Sequence, residues 1–157
     1  MKKNFLINTK ISKTWPKNKK NYLIFSNIHA VENYYGKQKK YAGYRVTNSR
    51  WENKKVMQKD YVYLKKLYEN ILSSLSKTLN NYHQKNYSSR FWRIFLGPWL
   101  ITFITIYFHK WHLIRKTFKK QRIDAVKFLK YSDGDIAPYD LEDFKYYFTS
   151  DDVWKQK

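Results

Sequence analysis

Fifteen consecutive residues, Ile94 to Phe108, carry no charge, and only Gly97, Pro98, Thr102 and Thr105 interrupt their apolar character. Whatever this chain folds into must cover that stretch or immerse it. A spanning helix wants roughly 20 apolar residues, so the run is short for one. Arg93 precedes it and His109-Lys110-Trp111-His112 follows, an arrangement of basic and aromatic groups that also suits a membrane interface. A buried core helix is the reading that length favours, with interfacial contact and a span as alternatives. Pro98 lacks the amide that would bond the carbonyl of Ile94, and its ring crowds that carbonyl, so the helix is expected to kink or restart there. From Trp99 to Phe108 the pattern is apolar nearly all round, whereas Trp111, Ile114 and Phe118 form a narrower stripe beside Lys110, Arg115, Lys116, Lys119 and Lys120. The first half should be buried and the second should surface.

A partner for this helix lies just upstream. Leu64, Tyr68, Ile71, Leu75, Leu79 and Tyr82 recur at steps of three and four, with Lys65, Lys66, Asn70, Ser73, Ser74 and Lys77 between them. That spacing predicts one apolar stripe on a helix of about six turns, opened by Asp60 as N-cap or first-turn acid and closed near His83-Gln84. Ser88 or Ser89 can cap the next helix.

Residues 1–59 read as strands and loops. Tyr22-Leu23-Ile24-Phe25 is a continuous apolar run, as in a strand buried on both faces. Residues 33–53 show no sustained period and room for at most one short strand, at Tyr44 to Val46. After Arg122, a strand within Ile123 to Leu129, a turn at Ser132-Asp133-Gly134-Asp135 and a short helix from Tyr139 to Phe148 behind Pro138 are expected. The organisation is thus a strand and loop region over 1–59, two long helices over 60–122, and a strand, turn and short helix over 123–157. The start, MKKNFLINTKISKTW, offers only Phe5 to Ile7 as an apolar stretch, whereas a secretory signal needs about 7–15 such residues.

Charge separates these regions. The chain carries 32 Lys+Arg against 12 Asp+Glu, a net +20. Residues 1–59 hold fifteen bases and two acids, residues 70–123 ten bases and none, and residues 124–157 five bases and eight acids. So one-sided a field favours anionic partners, namely lipid head groups, nucleotide phosphates or nucleic acid. With 43% hydrophobic residues the chain has a core to build and is not a charge-driven disordered protein. The absence of cysteine excludes disulfides, thiolate zinc and a cysteine nucleophile.

Recognisable catalytic motifs are mostly absent from the chain. No Gly-rich phosphate loop, His-Glu-x-x-His pair or nucleophile elbow is present. His109 and His112 share a helix face but find no third ligand nearby, and Asp133 and Asp135 beside Gly134 read as a solvated turn, so no metal is expected. The junction from His83 to Trp99 is different. His83, Arg90 and Arg93 bring donors to a place where the free amides of a second helix also point outward, a combination that suits a phosphate or carboxylate. The plainer alternative leaves both arginines solvated while Phe91, Trp92, Ile94 and Phe95 pack.

The run LNNYHQKNYSSRFWRIFLGPWL at residues 79–100 resembles the signature of a transferase family encoded in bacterial O-antigen and surface-polysaccharide clusters. Leu79, Asn80, His83, Asn86, Ser88, Arg90, Trp92, Arg93, Ile94, Gly97, Pro98, Trp99 and Leu100 match it in order. Thr14-Trp15-Pro16, Asp60-Tyr61 to Leu67-Tyr68, Pro138 to Phe144 and Asp151-Asp152-Val153-Trp154 extend the likeness. Where the family follows its first strand with a Leu-Gly-x-Trp type of turn, this chain has Phe25-Ser26-Asn27-Ile28-His29.

The resemblance implies a helix-rich α/β chain, an incomplete Rossmann-like N-terminal lobe of a two-lobed glycosyltransferase-type protein. Family members are several times longer, so residues 1–157 are expected to form one incomplete N-terminal domain that lacks the donor site and is inactive alone. The reaction it implies is transfer from an activated sugar donor to a glycan or lipid-linked acceptor, for O-antigen or another surface polysaccharide. His83, Arg90 and Arg93 would contact phosphate or acceptor, Asn80 and Asn86 would orient the junction, and Trp92, Gly97, Pro98 and Trp99 would shape it. No cofactor is expected in the fragment itself, and the location is cytoplasmic, peripheral on the inner face of the membrane. The rival from another class is a non-catalytic basic module on an anionic membrane surface or on nucleic acid. Sequence-specific nucleic-acid binding is not expected, because no reading motif is present and Trp92 and Trp99 should be buried, whereas stacking platforms keep their aromatics exposed.

Overall fold

In the computed structural model, residues 2–8, 11–26, 40–128 and 138–144 are described. They divide into two compact units, one of residues 1–49 with 113–157 and one of residues 50–112.

The first unit is built on a parallel sheet. Its strands are β1 (Asn4–Ile7), β2 (Tyr22–Phe25), β3 (Gly43–Val46) and β4 (Ala125–Val126), in the order β3-β2-β1-β4. Phe5 faces Leu23 on one side and Ala125 on the other, and Leu23 faces Tyr44. Central β2 buries Leu23, Ile24 and Phe25 completely, as its unbroken apolar run predicts. Trp15 packs edge-on against Phe25 at 5.5 Å and against Tyr41 at 6.0 Å, closing a core with Ile7 and Leu23. The Tyr41 hydroxyl donates to the carbonyl of Pro16 at 2.7 Å, so the Thr14-Trp15-Pro16 segment is held by its backbone as well as by its ring. At the opposite edge Asp124 accepts from the amide of Asn4 at 2.9 Å and fixes where β4 meets β1.

The second unit is a helical hairpin. Helix α1 spans Lys54–His83, and α2 starts at Ser89 and runs to Lys120, its last turns belonging to the first unit. The expected cap is corrected: α1 starts at Lys54, and Asn53 caps it by accepting from the amides of Lys55 and Val56 at 3.0 and 3.2 Å. The first two turns are mostly Lys, Gln and Asp, and Val56 and Met57 alone are too few to mark where the helix begins. Asp60 instead lies inside α1, where its two carboxylate oxygens accept from Arg50 at 2.9 Å and from the indole of Trp51 at 2.8 Å. The far end agrees with expectation, since α1 stops at His83 and Gln84 turns the chain in the left-handed region with φ 51°.

Leu64 and Leu72 of α1 and Trp92, Leu100 and Ile104 of α2 form the hairpin core, with Tyr68, Ile71, Leu75 and Leu79 packed around it. Burial of the long apolar run is one-sided, which corrects the expectation that its first half is buried. Ile94 and Phe95 are 71% and 70% exposed, and Ile101 and Tyr107 also face out. A single partner helix covers one stripe of its neighbour and no more. By length and composition α2 could cross a membrane, and 22% of its most apolar window is buried. Pro98 does not restart the helix. The carbonyl it frees belongs to Ile94, a residue on the exposed face of the helix.

Residues 141–144 are helical, capped by Asp140 and Asp143, which accept from the amides of Asp143 and Tyr139 at 2.8 and 3.0 Å. The remainder of the expected helix to Phe148, the turn at 132–135 and the Asp151 to Trp154 motif lie outside the described residues.

Candidate functional site

The junction between α1 and α2 is organised by Asn80. The amides of Gln84 and Lys85 close back on the carbonyls of Asn81 and Asn80 at 3.3 and 2.9 Å, which satisfies the end of α1. The Asn80 side chain then reaches across the loop. Its Nδ2 donates to the carbonyl of Tyr87 at 2.9 Å, and its Oδ1 accepts from the amide of Tyr87 at 3.1 Å and from the buried indole of Trp92 at 2.9 Å. Ser88 caps α2 by accepting from the amide of Phe91 at 3.2 Å. Asn86 takes no part: it is exposed, and its side chain makes no hydrogen bond among the described residues.

Around this frame the basic residues separate. His83 lies roughly parallel to Trp92, centroids 6.4 Å apart, with Tyr82 edge-on to it at 5.0 Å. Arg90 is exposed and makes no hydrogen bond or ion pair among the described residues. Arg93 is committed elsewhere, because its two terminal nitrogens hold both oxygens of Glu69 at 2.8 and 2.6 Å and its guanidinium lies 5.7 Å from the Tyr68 ring centre. It fastens the hairpin, and of the three basic residues His83 and Arg90 remain beside the first turn of α2. An exposed ladder runs along that turn, with Tyr87 on Phe91 at 4.2 Å and Phe91 on Phe95 at 6.0 Å.

The other residues singled out in the sequence fall on the hairpin. Trp92 is buried, Trp99 stacks on Phe103 at 5.0 Å, and Pro98 is exposed with its carbonyl accepting from the hydroxyl of Thr102 at 2.8 Å. Gly97 is buried against α1, where an added Cβ would come within 2.6 Å of the Tyr68 hydroxyl. Gly97→Ala therefore destabilises the chain by about 1–3 kcal/mol through overpacking. In a Tyr68→Phe background the same change is stabilising, by up to about 1 kcal/mol, because alanine is the better helix former once the hydroxyl is gone. Urea midpoints of the four variants check this reversal of sign.

The hydrogen bonds and charge of Arg93 hold the Glu69 carboxyl below its ordinary range. A carboxylate depressed in the folded state stabilises above its unfolded pKa, and that contribution fades as pH falls through the folded value. Wild type should therefore lose its margin over Glu69→Gln on acidification, and added salt should shrink that margin at neutral pH. Unfolding midpoints across the acid range test both.

His109 stacks on Trp51 at 4.5 Å, and His112 meets Arg50 at 2.9 Å and Phe108 at 4.4 Å. No metal-binding cluster occurs among the described residues. Sequence reading missed the Asp60 and Glu69 pairings. Their signal was present, for these are the sole carboxylates between Asn53 and Ile123.

Compared with known families, the chain is that of a transferase: one family model matches it over residues 4–156, a span that contains the sheet, the hairpin and the junction. It belongs to that family, the LIC12162 family transferases. No curated protein and no solved structure matches it.

Proposed function

We propose that this chain forms a Rossmann-like lobe of a glycosyltransferase for surface-polysaccharide synthesis, with the α1–α2 junction as its anion-binding contact. Membership of a transferase family over nearly the whole length carries the reading. The strand order β3-β2-β1-β4 is compatible with it. In open sheets of that kind ligands bind outside the carboxyl ends of the strands where the order reverses, here between β1 and β4 beside Asn8 and Lys127. At the junction, His83, Arg90 and the first amides of α2 meet a phosphate or an acceptor anion, while Asn80 holds the loop in place. In the reaction proposed, the bond between the sugar and the phosphate of an activated donor breaks, the phosphate leaves with the bonding electrons, and a hydroxyl of a glycan or lipid-linked acceptor forms the new bond and gives up its proton to solvent.

Titration with uridine diphosphate tests the anion contact. Saturable binding that weakens about tenfold in Arg90→Ala, the loss of one charge-assisted contact, supports it. Binding unchanged in both Arg90→Ala and His83→Ala removes the junction from the site. Turnover of sugar nucleotides by the isolated chain, absent in Arg90→Ala, would instead overturn the expectation that it is inactive alone.

A second reading has its own observation. Phe118 is exposed on the last turns of α2 beside Arg115, Lys119 and Lys120. Such a surface suits peripheral contact with anionic lipid, at about 1 kcal/mol per base near the membrane. Salt-sensitive binding to vesicles containing phosphatidylglycerol, lost in Lys119→Glu/Lys120→Glu, supports it. Equal binding to neutral vesicles rejects it, and tighter binding to one DNA sequence than to its scramble at the same salt would place the contact on nucleic acid.

A further inference from the structure

Away from the junction the hairpin contains a cavity of about 510 Å³. Met57, Tyr61, Leu64 and Tyr68 line it from α1, one face at steps of three and four, and Ile101 and Thr105 line it from α2. It exists because α2 shortens its side chains there. Elsewhere α2 fills the hairpin with Trp92, Trp99, Phe103 and Phe108. The lining is apolar and aromatic, and its two charges are unequal in their commitments. Glu69 is neutralised by Arg93 through both oxygens. Lys65 is exposed and makes no direct hydrogen bond or ion pair among the described residues, although its charge helps Arg93 hold the Glu69 carboxyl low.

An apolar cavity with an exposed ammonium at its mouth that no carboxylate holds directly selects a molecule with an apolar body and an anionic end. We propose that this cavity binds a single-chain anionic amphiphile, its hydrocarbon between Tyr61, Leu64 and Ile101 and its carboxylate or phosphate on Lys65. The exposed residues Ile94, Phe95, Pro98 and Ile101 lead along α2 to the cavity and give the chain an apolar path in. This assignment does not rest on the reading of the junction.

The test uses the 157-residue chain and calorimetric titration with dodecanoate below its critical micelle concentration. Saturable binding is expected, about tenfold tighter than that of dodecanol, the difference made by one charge-assisted contact. Lys65→Gln, an exposed change that leaves folding intact, should erase that tenfold difference. Thr105→Trp fills the cavity and should abolish binding of both probes, with circular dichroism reporting the fold. Absence of saturable dodecanoate binding, equal affinity for dodecyltrimethylammonium, or a dodecanoate preference that survives Lys65→Gln would each overturn the proposal. So would unchanged binding in a folded Thr105→Trp variant. Vesicles of phosphatidylglycerol separate the sources of the amphiphile. Vesicle binding that Thr105→Trp abolishes and dodecanoate displaces identifies a bilayer lipid as ligand, whereas vesicle binding indifferent to Thr105→Trp identifies a free one.

Discussion

Replacing Asn80 with alanine lowers the stability of the chain by about 3 kcal/mol, at roughly 1 kcal/mol for each of three hydrogen bonds and more for the buried donor left without an acceptor. That donor is the indole of Trp92, whose residue is 4% exposed and is held by Asn80 at 2.9 Å. Asn80→Asp is the informative control. A carboxylate keeps the acceptor for the Tyr87 amide and the Trp92 indole, but it turns an oxygen on the Tyr87 carbonyl and sets a negative charge at the C-terminal end of α1, so it should recover only part of the loss. Urea unfolding followed by circular dichroism measures both. A cost for alanine within the roughly 0.5 kcal/mol of an ordinary surface change would mean that the junction does not depend on this residue.

Asp60→Ala is expected to cost about 3 kcal/mol, because it leaves a guanidinium and an indole without their acceptor at a largely buried site. Asp60 is 6% exposed, and Arg50 also reaches His112 at 2.9 Å, so the network ties the turn before α1 to both helices. Asp60→Asn should be nearly as damaging. Its single oxygen can serve only one of the two donors, and its amide group then faces the other. If asparagine is tolerated at no cost in thermal midpoint, the two donors are not both satisfied by this carboxylate.

Local pattern carried the helical hairpin a long way. The stripe from Leu64 to Tyr82 needs only a 3.6-residue period, and the stop at His83 and the Ser88 cap are chemistry of single residues, so neighbours in sequence contain the information. The same holds for β2, whose burial on both faces is written in four consecutive residues. What local pattern could not supply is pairing across distance. Arg93 reads as a free donor until Glu69, twenty-four positions away, is brought opposite it by the fold of the hairpin. Asp60 reads as a cap because acids favour first turns, yet α1 begins earlier, and Arg50 and Trp51 arrive from the preceding turn. Within the junction, Asn80 and Asn86 read alike in sequence. The left-handed turn at Gln84 aims one across the loop and leaves the other in solvent.

The sheet has a consequence for how the chain acquires its shape. β4 pairs with β1 across nearly the whole hairpin, and the hydrogen bond from Asn4 to Asp124 joins residues 120 positions apart. Contacts so remote in sequence are slow to form, while a hairpin of two helices joined by a short loop closes through near neighbours. During synthesis β1, β2 and the hairpin therefore leave the ribosome with one flank of β1 still unpaired, and that strand edge waits for residues 125–126 before it is sealed.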